Sequence, residues 1–323
     1  MKIMVIFTGG TISMERINNS AVISSSFIDI LNTINSSLQD IEIEHIELFM
    51  KPSPHISIED MKTLGDLINK FALNDDIKGI VVTHGTDTLE ETAYFLDLYT
   101  NTSKPVVVTG SMRNISELSY DGPSNLANAI LVANSKYSLN RGVLVVLNGE
   151  INSAREVTKT HTMALDTFKS LEYGPLGVID SDDVYYYRDI HFKRRNITPK
   201  CILSNVEIIK CYADANSNLI NYLVENNTKG IILEGLGRGN VPIKMIEGIK
   251  NALNKNIPIV LTSRCMKGRV LDSYGYEGGG NHLKKLGVIF GDNLNSQKAR
   301  IKLILAISQG YNFQEIKNIF EKK

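Results

Sequence analysis

The feature that most constrains this chain is an alternation in which short runs rich in valine and isoleucine recur between stretches with the spacing of amphipathic helices. Apolar runs of roughly four to eight residues suit strands buried on both faces. When helices separate such strands, the outcome is a parallel sheet covered on both sides. The runs at 2–7, 41–49, 78–84, 105–109 and 142–148 are therefore predicted strands. Predicted helices follow Ser26, Ser57 and Thr88, each an N-cap residue type, with Glu91 three residues beyond Thr88 completing a capping box. The rhythm breaks at 189–200, DIHFKRRNITPK, a polar and basic stretch closed by proline, as in an interdomain linker. It resumes with strand-like segments at 202–209, 229–234 and 257–262, helices near 215–226 and 243–254, and two closing helices from about Ser296. A chain of 323 residues exceeds what one core usually supports, so two α/β domains are expected.

Charge narrows the choice of ligand. Lys plus Arg and Asp plus Glu both number 35, so no net field draws in nucleic acid or an anionic membrane surface. A small neutral or zwitterionic ligand fits better. No stretch reaches the ~20 apolar residues that span a bilayer, and the opening MKIMVIF carries too short an apolar run for a signal peptide. The expectation is a cytoplasmic protein without membrane or nucleic-acid partners. Cys201, Cys211 and Cys265 are widely spaced, with no C-x-x-C pair, which argues against a disulfide framework or a zinc site. They are expected to be reduced, buried and inert, and the sequence implies no metal and no cofactor.

In a doubly wound sheet ligands bind beyond the carboxyl ends of the strands, so loops after strands hold the candidate chemistry. The loop FTGGTI (7–12) follows the first strand; Gly9 and Gly10 permit a tight turn and leave Thr11 projecting from it. The loop HGTDT (84–88) follows the strand IKGIVVT, placing Thr86 and Asp87 just before a helix. A helix start offers unpaired N–H groups and a partial positive charge suited to a carboxylate, and Asp87 supplies the opposite charge for an ammonium. One loop could thus grip both charged groups of an amino acid. Each loop alone has an ordinary structural reading as a glycine turn or a capped helix, with His84 as a hydrogen-bonded structural residue. Their conjunction carries the functional case.

FTGGTI, VVTHGTDTLEETAYFLDL, KPVVVTGSMR, SYDGPSNLANAI, NRGVLVVLNGEI, REVTKTHT and GVIFGDNLNSQKARIKLILAIS, in that order, resemble the bacterial L-asparaginase family over nearly the whole chain. The resemblance implies a larger N-terminal doubly wound catalytic domain of Rossmann or flavodoxin-like type (1–190), a linker (191–203) and a smaller C-terminal flavodoxin-like domain (204–323). It implies hydrolysis of L-asparagine to aspartate and ammonia through an acyl-threonine. It also implies self-association as a homodimer or homotetramer. Thr11 matches the nucleophile, while Thr86, Asp87 and Lys159 (of VTKT) match a second catalytic group. The expected substrate-binding set is Gly10, Ser53, Gly85, Thr86, Asp87 and Ser111. A threonine hydroxyl must lose its proton during attack, and Lys159 could take it through Thr86. Asp87 would hold the substrate ammonium, orient Lys159, or do both. Backbone N–H groups near Thr86 and around Gly110 and Ser111 are candidates for the developing oxyanion.

The pattern departs from the family in three places. Many relatives carry a tyrosine in the loop after TGGT, whereas this chain has none before Tyr94, leaving Glu15 and Arg16 as stand-ins to activate Thr11. At KPSPHIS, Ser53 matches a carboxylate-binding serine, but Pro54 fills the next position and has no N–H. GLGRGN (235–240) and DSYGYEGGGN (272–281) fall where relatives reach into a neighbouring subunit's site. Gly280 takes the place of a glutamate there, and Asn240 and Glu277 become the intersubunit candidates. Two other readings compete: an ammonia-releasing D-type subunit of a tRNA-dependent amidotransferase, and a non-catalytic amino-acid-binding protein on the same scaffold.

Overall fold

The computed structural model describes residues 1–17, 20–23, 27–35, 38, 40–190, 192 and 195–321. The chain divides into two compact units, Met1–Asn196 and Ile197–Lys323.

The first unit contains strands β1 (Lys2–Gly9), β2 (Met14–Ile17), β3 (Ser20–Ile23), β4 (Ile43–Lys51), β5 (Ile77–Thr83), β6 (Val106–Thr109), β7 (Val143–Leu147), β8 (Glu150–Ser153), β9 (Val157–Lys159), β10 (Phe168–Ser170), β11 (Gly177–Asp180) and β12 (Asp183–Tyr186). Its helices are α1 (Phe27–Asn35), α2 (Ile58–Ala72), α3 (Leu89–Tyr99) and α4 (Gly122–Asn134). The main sheet runs β12-β11-β8-β7-β6-β5-β1-β4. Strands β4, β1, β5, β6 and β7 are parallel; the apolar runs of β1, β5, β6 and β7 are buried almost without a break because helices cover both faces, whereas β4 at the sheet edge is largely open to solvent. β8, β11 and β12 extend the sheet antiparallel. The β7–β8 turn is tight because Asn148 and Gly149 accept positive φ (51° and 73°), the Asn-Gly combination that hairpins favour.

Counting only the parallel strands in chain order, the sequence of neighbours is 2-1-3-4-5, so the sheet reverses direction between β1 and β5. That reversal is the topological switch point at which open α/β sheets bind ligands. The helices pair as α1 with α4 and α2 with α3. Ile30, Leu31 and Ile34 of α1 share one core cluster with Leu126, Ala129 and Ile130 of α4 against Phe7, Val81, Val107 and Leu144 of the sheet. β5, β6 and β7 are successive neighbours, yet α3 and α4 cover opposite faces. The β6–α4–β7 crossover therefore has the opposite hand to the three before it, the rare left-handed sense. Its loop, residues 110–121, is carried across the carboxyl end of β1.

The second unit holds β13 (Val206–Lys210), β14 (Gly230–Gly235), β15 (Ile259–Ser263) and β16 (Ile289–Phe290), with α5 (Asn218–Glu225), α6 (Ile246–Asn254), α7 (Gly280–Leu286), α8 (Ser296–Ser308) and α9 (Phe313–Glu321). Its sheet is parallel throughout and in plain chain order, β13-β14-β15-β16. Ile220, Val224, Ile246, Ile249 and Leu283 from α5, α6 and α7 join one core cluster, and α8 packs on β13, β14 and β15 outside it. The expected α/β plan, with a larger first domain and a smaller parallel-sheet second domain, is thus present.

Two local expectations change. Thr88 does not close a capping box; its hydroxyl donates to the Ser53 carbonyl (2.8 Å), while Ser57 does form one with Asp60. Only Cys211 is buried, with its thiol pushed up to about 12 by burial; Cys201 and Cys265 are exposed, and all three are free. The expected cap Ser26 lies outside the described residues. Among the described residues no helix is long and apolar enough to cross a membrane, and no group of three or more His, Cys, Asp or Glu could hold a metal ion.

Candidate active site

β1 and β5 lie side by side, with Phe7 opposite Thr83, so the loops FTGGTI and HGTDT leave the sheet together at the switch point. Glycines let them touch. Gly10 sits at φ +85°, where a Cβ would stand 2.3 Å from the Gly85 nitrogen and 2.4 Å from its Cα. At Gly85 a Cβ would stand 2.8 Å from both Cβ and Oγ of Ser53. No side chain could replace either hydrogen without moving backbone. Three loops, after β1, β4 and β5, therefore interlock through Gly10, Gly85 and Ser53. Thr11, half-buried, opens the single helical turn Thr11–Ser13 one residue beyond that contact.

Ser53 is buried, and its polar groups hold the HGTDT turn: Oγ accepts from the Asp87 N–H (3.2 Å) and its carbonyl accepts from Thr88. His84 is fully buried as well. Nδ1 faces the Gly85 carbonyl at 2.8 Å, which can only accept, so Nδ1 carries the proton and Nε2 accepts from the Thr92 hydroxyl (2.9 Å). Burial pulls His84 down to about 4, outweighing the hydrogen bond to Gly85, which favours the charged form. It is a neutral brace with both nitrogens engaged.

Lys159 ends β9, and its position is set by the β9–β10 hairpin, where it pairs with Phe168. Nζ donates to Thr86 Oγ1 (2.9 Å) and to Asp87 Oδ1 (2.7 Å). Lys159 is 15% exposed and Asp87 63% exposed, so the pair sits with the amine inward and the carboxylate partly open to solvent. The neighbouring Thr158 hydroxyl donates to Glu90 (3.0 Å), a buried carboxylate in the first turn of α3. This ties β9 to the helix that follows HGTDT.

Gly110 closes the other side of the crevice, where a Cβ would meet the His84 carbonyl at 2.4 Å. Ser111 is fully buried, and its hydroxyl donates to the Arg113 carbonyl (2.6 Å), inside its own loop. The structure thus brings Gly10, Ser53, Gly85, Thr86, Asp87 and Lys159 together, with Thr11 adjoining them. Glu15 lies on β2, in register with Val22, and the Arg16 side chain lies outside the described residues. Asn240 and Glu277 belong to the second unit. There the Val241 N–H donates to the Gly278 carbonyl (2.9 Å) and the Leu271 N–H to the Arg238 carbonyl (3.0 Å), so their two loops run together; Glu277 is exposed.

Sequence reasoning missed two residues of this neighbourhood. One is Glu90, for which two adjacent glutamates after HGTDT were the signal: one of them must turn towards the sheet. The other is Tyr120, in SYDGP, whose hydroxyl donates to the Ile12 carbonyl.

Fold and site together describe an α/β enzyme scaffold whose switch point holds a Lys–Thr–Asp cluster next to a threonine-bearing turn. Residues 2–192 match the asparaginase N-terminal family and residues 205–320 the glutaminase/asparaginase C-terminal domain; the chain belongs to this asparaginase family. It is 38% identical to the L-asparaginase of Bacillus licheniformis over 313 residues, covering 95% of each chain. It is 36% identical to L-asparaginase 2 of Escherichia coli, covering 99% of this chain and 92% of the other. The glutaminase-asparaginase of Pseudomonas aeruginosa is 32% identical, over 98% of this chain and 89% of its own.

Proposed function

We infer that this chain is an L-asparaginase that hydrolyses L-asparagine to L-aspartate and ammonia, with Thr11 as nucleophile. The observation that carries this reading is Lys159 bonded at once to Thr86 and Asp87 beside the glycine-packed turn bearing Thr11. Relatives named as L-asparaginases, aligned over almost the entire chain, support it.

Thr11 attacks the side-chain amide carbon and its proton leaves through Thr86, whose hydroxyl can pass a proton to Lys159 when that amine is neutral. The C–N bond breaks, the departing nitrogen takes a proton and leaves as ammonia, and water then hydrolyses the ester. Backbone N–H groups of the Thr86 turn serve the oxyanion. Asp87 orients Lys159 through Oδ1 and, being largely exposed, also faces the substrate ammonium. Ser53, whose Oγ already accepts from Asp87, keeps its own proton for the substrate carboxylate.

The protein works in the cytoplasm, where three free cysteines, two of them exposed, are compatible with a reducing compartment. It self-associates as a homodimer or homotetramer, with Asn240 and Glu277 directed to a neighbouring subunit's site from their paired loops. Ammonia release from asparagine and from glutamine by wild type, Thr11→Ala and Lys159→Met tests the reading, with assembly mass measured alongside. Turnover of asparagine by wild type and none by folded Thr11→Ala is expected. Undiminished turnover by Thr11→Ala would remove Thr11 from its role.

A further inference from the structure

The turn that carries Thr11 is held from two sides, and only one of them belongs to the cluster described above. On one side Gly10 rests on Gly85. On the other, the 110–121 loop, brought over β1 by the left-handed crossover, makes two bonds to the same stretch of chain. The Tyr120 hydroxyl donates to the Ile12 carbonyl, in the Ile12–Ser13 peptide one residue beyond Thr11, and the Ile115 N–H donates to the Met14 carbonyl (3.0 Å).

The loop is built to deliver that tyrosine. Ser119 adopts a left-handed φ of 59°, an uncommon conformation for a residue with a Cβ, which turns the chain back on itself. The Tyr120 ring then folds over Gly122, where a Cβ would stand 2.2 Å from the phenol oxygen and 2.3 Å from Cζ. Asp121, between them, is locked: its carboxylate accepts from the N–H groups of Met112 (3.0 Å) and Arg113 (2.9 Å) and from Asn125 Nδ2 (2.9 Å). The Tyr-Asp-Gly triplet therefore works as a rigid arm rooted in α4 and ending on the Thr11–Ser13 turn.

We propose that Tyr120 is a positioning residue for the nucleophile, its hydroxyl fixing the Ile12–Ser13 peptide, one residue beyond Thr11 in the same helical turn, so that the threonine side chain is held at its angle of attack. This rests on Thr11 being the nucleophile. Burial, reinforced by the charge of Asp121, raises the Tyr120 phenol well above its ordinary value, so it stays a hydrogen-bond donor throughout the working range and is no proton acceptor. A misplacement of the order of 1 Å can cost as much as about 100-fold in rate.

The test is kinetic. Tyr120→Phe keeps the ring and deletes the donor; it is expected to lower kcat for asparagine about 10-fold or more, leave KM within about twofold, and leave both limbs of the pH–rate profile in place. Gly122→Ala keeps the hydroxyl but drives the ring off its seat, and should reproduce the same loss of kcat. Thr11→Ala is assayed in parallel. If Thr11→Ala is inactive while folded Tyr120→Phe keeps its full kcat and only melts earlier, the hydrogen bond is structural and the inference is overturned. Disappearance of one pH limb in Tyr120→Phe would overturn it too, because the phenol would then be exchanging a proton. If Tyr120→Phe does not fold, Gly122→Ala decides: wild-type kcat overturns the inference and a selective loss of kcat upholds it. An active Thr11→Ala would instead bring down the nucleophile assignment beneath it.

Discussion

The two units are built from the same parts and differ in one topological respect. In the second, β13 to β16 follow one another in order, and the sheet never reverses. In the first, the parallel strands run 2-1-3-4-5, and the reversal between β1 and β5 leaves neighbouring strand ends whose outgoing chains diverge to opposite faces. Gly10, Gly85, Ser53, Thr86, Asp87 and Lys159 gather at that reversal, whereas the strand ends of the second unit carry the paired loops of Asn240 and Glu277. The lesson is that a parallel sheet by itself makes no site. A change of direction opens the crevice, and glycines without Cβ atoms let the loops meet across it.

The largest test of that contrast removes the amine. Lys159→Met, close in length and uncharged, should lower kcat for asparagine by about 10³-fold with the fold retained, as measured by ammonia release and circular dichroism. An effect below tenfold would mean that the cluster at the reversal is structural.

His84 sharpens the comparison through pH. The unfolded chain protonates this residue near 6.5 and the folded chain only near 4, so its stabilising contribution is complete above the first value and is lost as pH falls towards the second. Across that interval wild type should lose about 3 kcal/mol relative to His84→Asn, measured by denaturant unfolding at several pH values. Parallel curves for the two proteins would show that the imidazole is not held neutral.

Paired glycine substitutions come next. Gly10→Ala sets a Cβ against Gly85 backbone, which cannot yield, and should cut kcat about 100-fold. Gly230→Ala, at the start of β14 in the second unit, meets the flexible end of Leu303 at 2.8 Å. It should cost about 1–3 kcal/mol of stability and leave kcat nearly unchanged. Equal kinetic losses in both would erase the distinction between the units. The smallest effect is expected of Thr88→Val, which deletes one hydrogen bond to Ser53 and should raise KM about fivefold, the equivalent of about 1 kcal/mol.

Much of this was legible in the residues, for reasons that can be stated. Val81, Val107 and Val145 sit in runs buried on both faces, so their strands stand out as unbroken apolar segments, placed to within two or three residues. β8 to β12 escaped notice because they are three or four residues long and partly exposed, so Asp183–Tyr186 shows neither a buried run nor a long alternation. The loops FTGGTI and HGTDT announced themselves by following strands. His84 reads as a hydrogen-bonded structural residue, as it is, but the seat of Thr88 on Ser53 and the arm of Tyr120 on Ile12 were not legible, because each joins positions whose proximity only the crossover pattern creates. Thr88 illustrates the competition: a hydroxyl that could cap its own helix went instead to a carbonyl 35 residues away in the chain.

Two threonines, Thr11 and Thr86, stand at the reversal, and which of the two alcohols is acylated decides the mechanism. Wild-type protein mixed with excess asparagine, quenched in acid within milliseconds and digested for mass spectrometry, answers this directly. An aspartyl ester on the peptide containing Thr11 is the predicted result; the same ester on the peptide containing Thr86, with Thr11 unmodified, would contradict it.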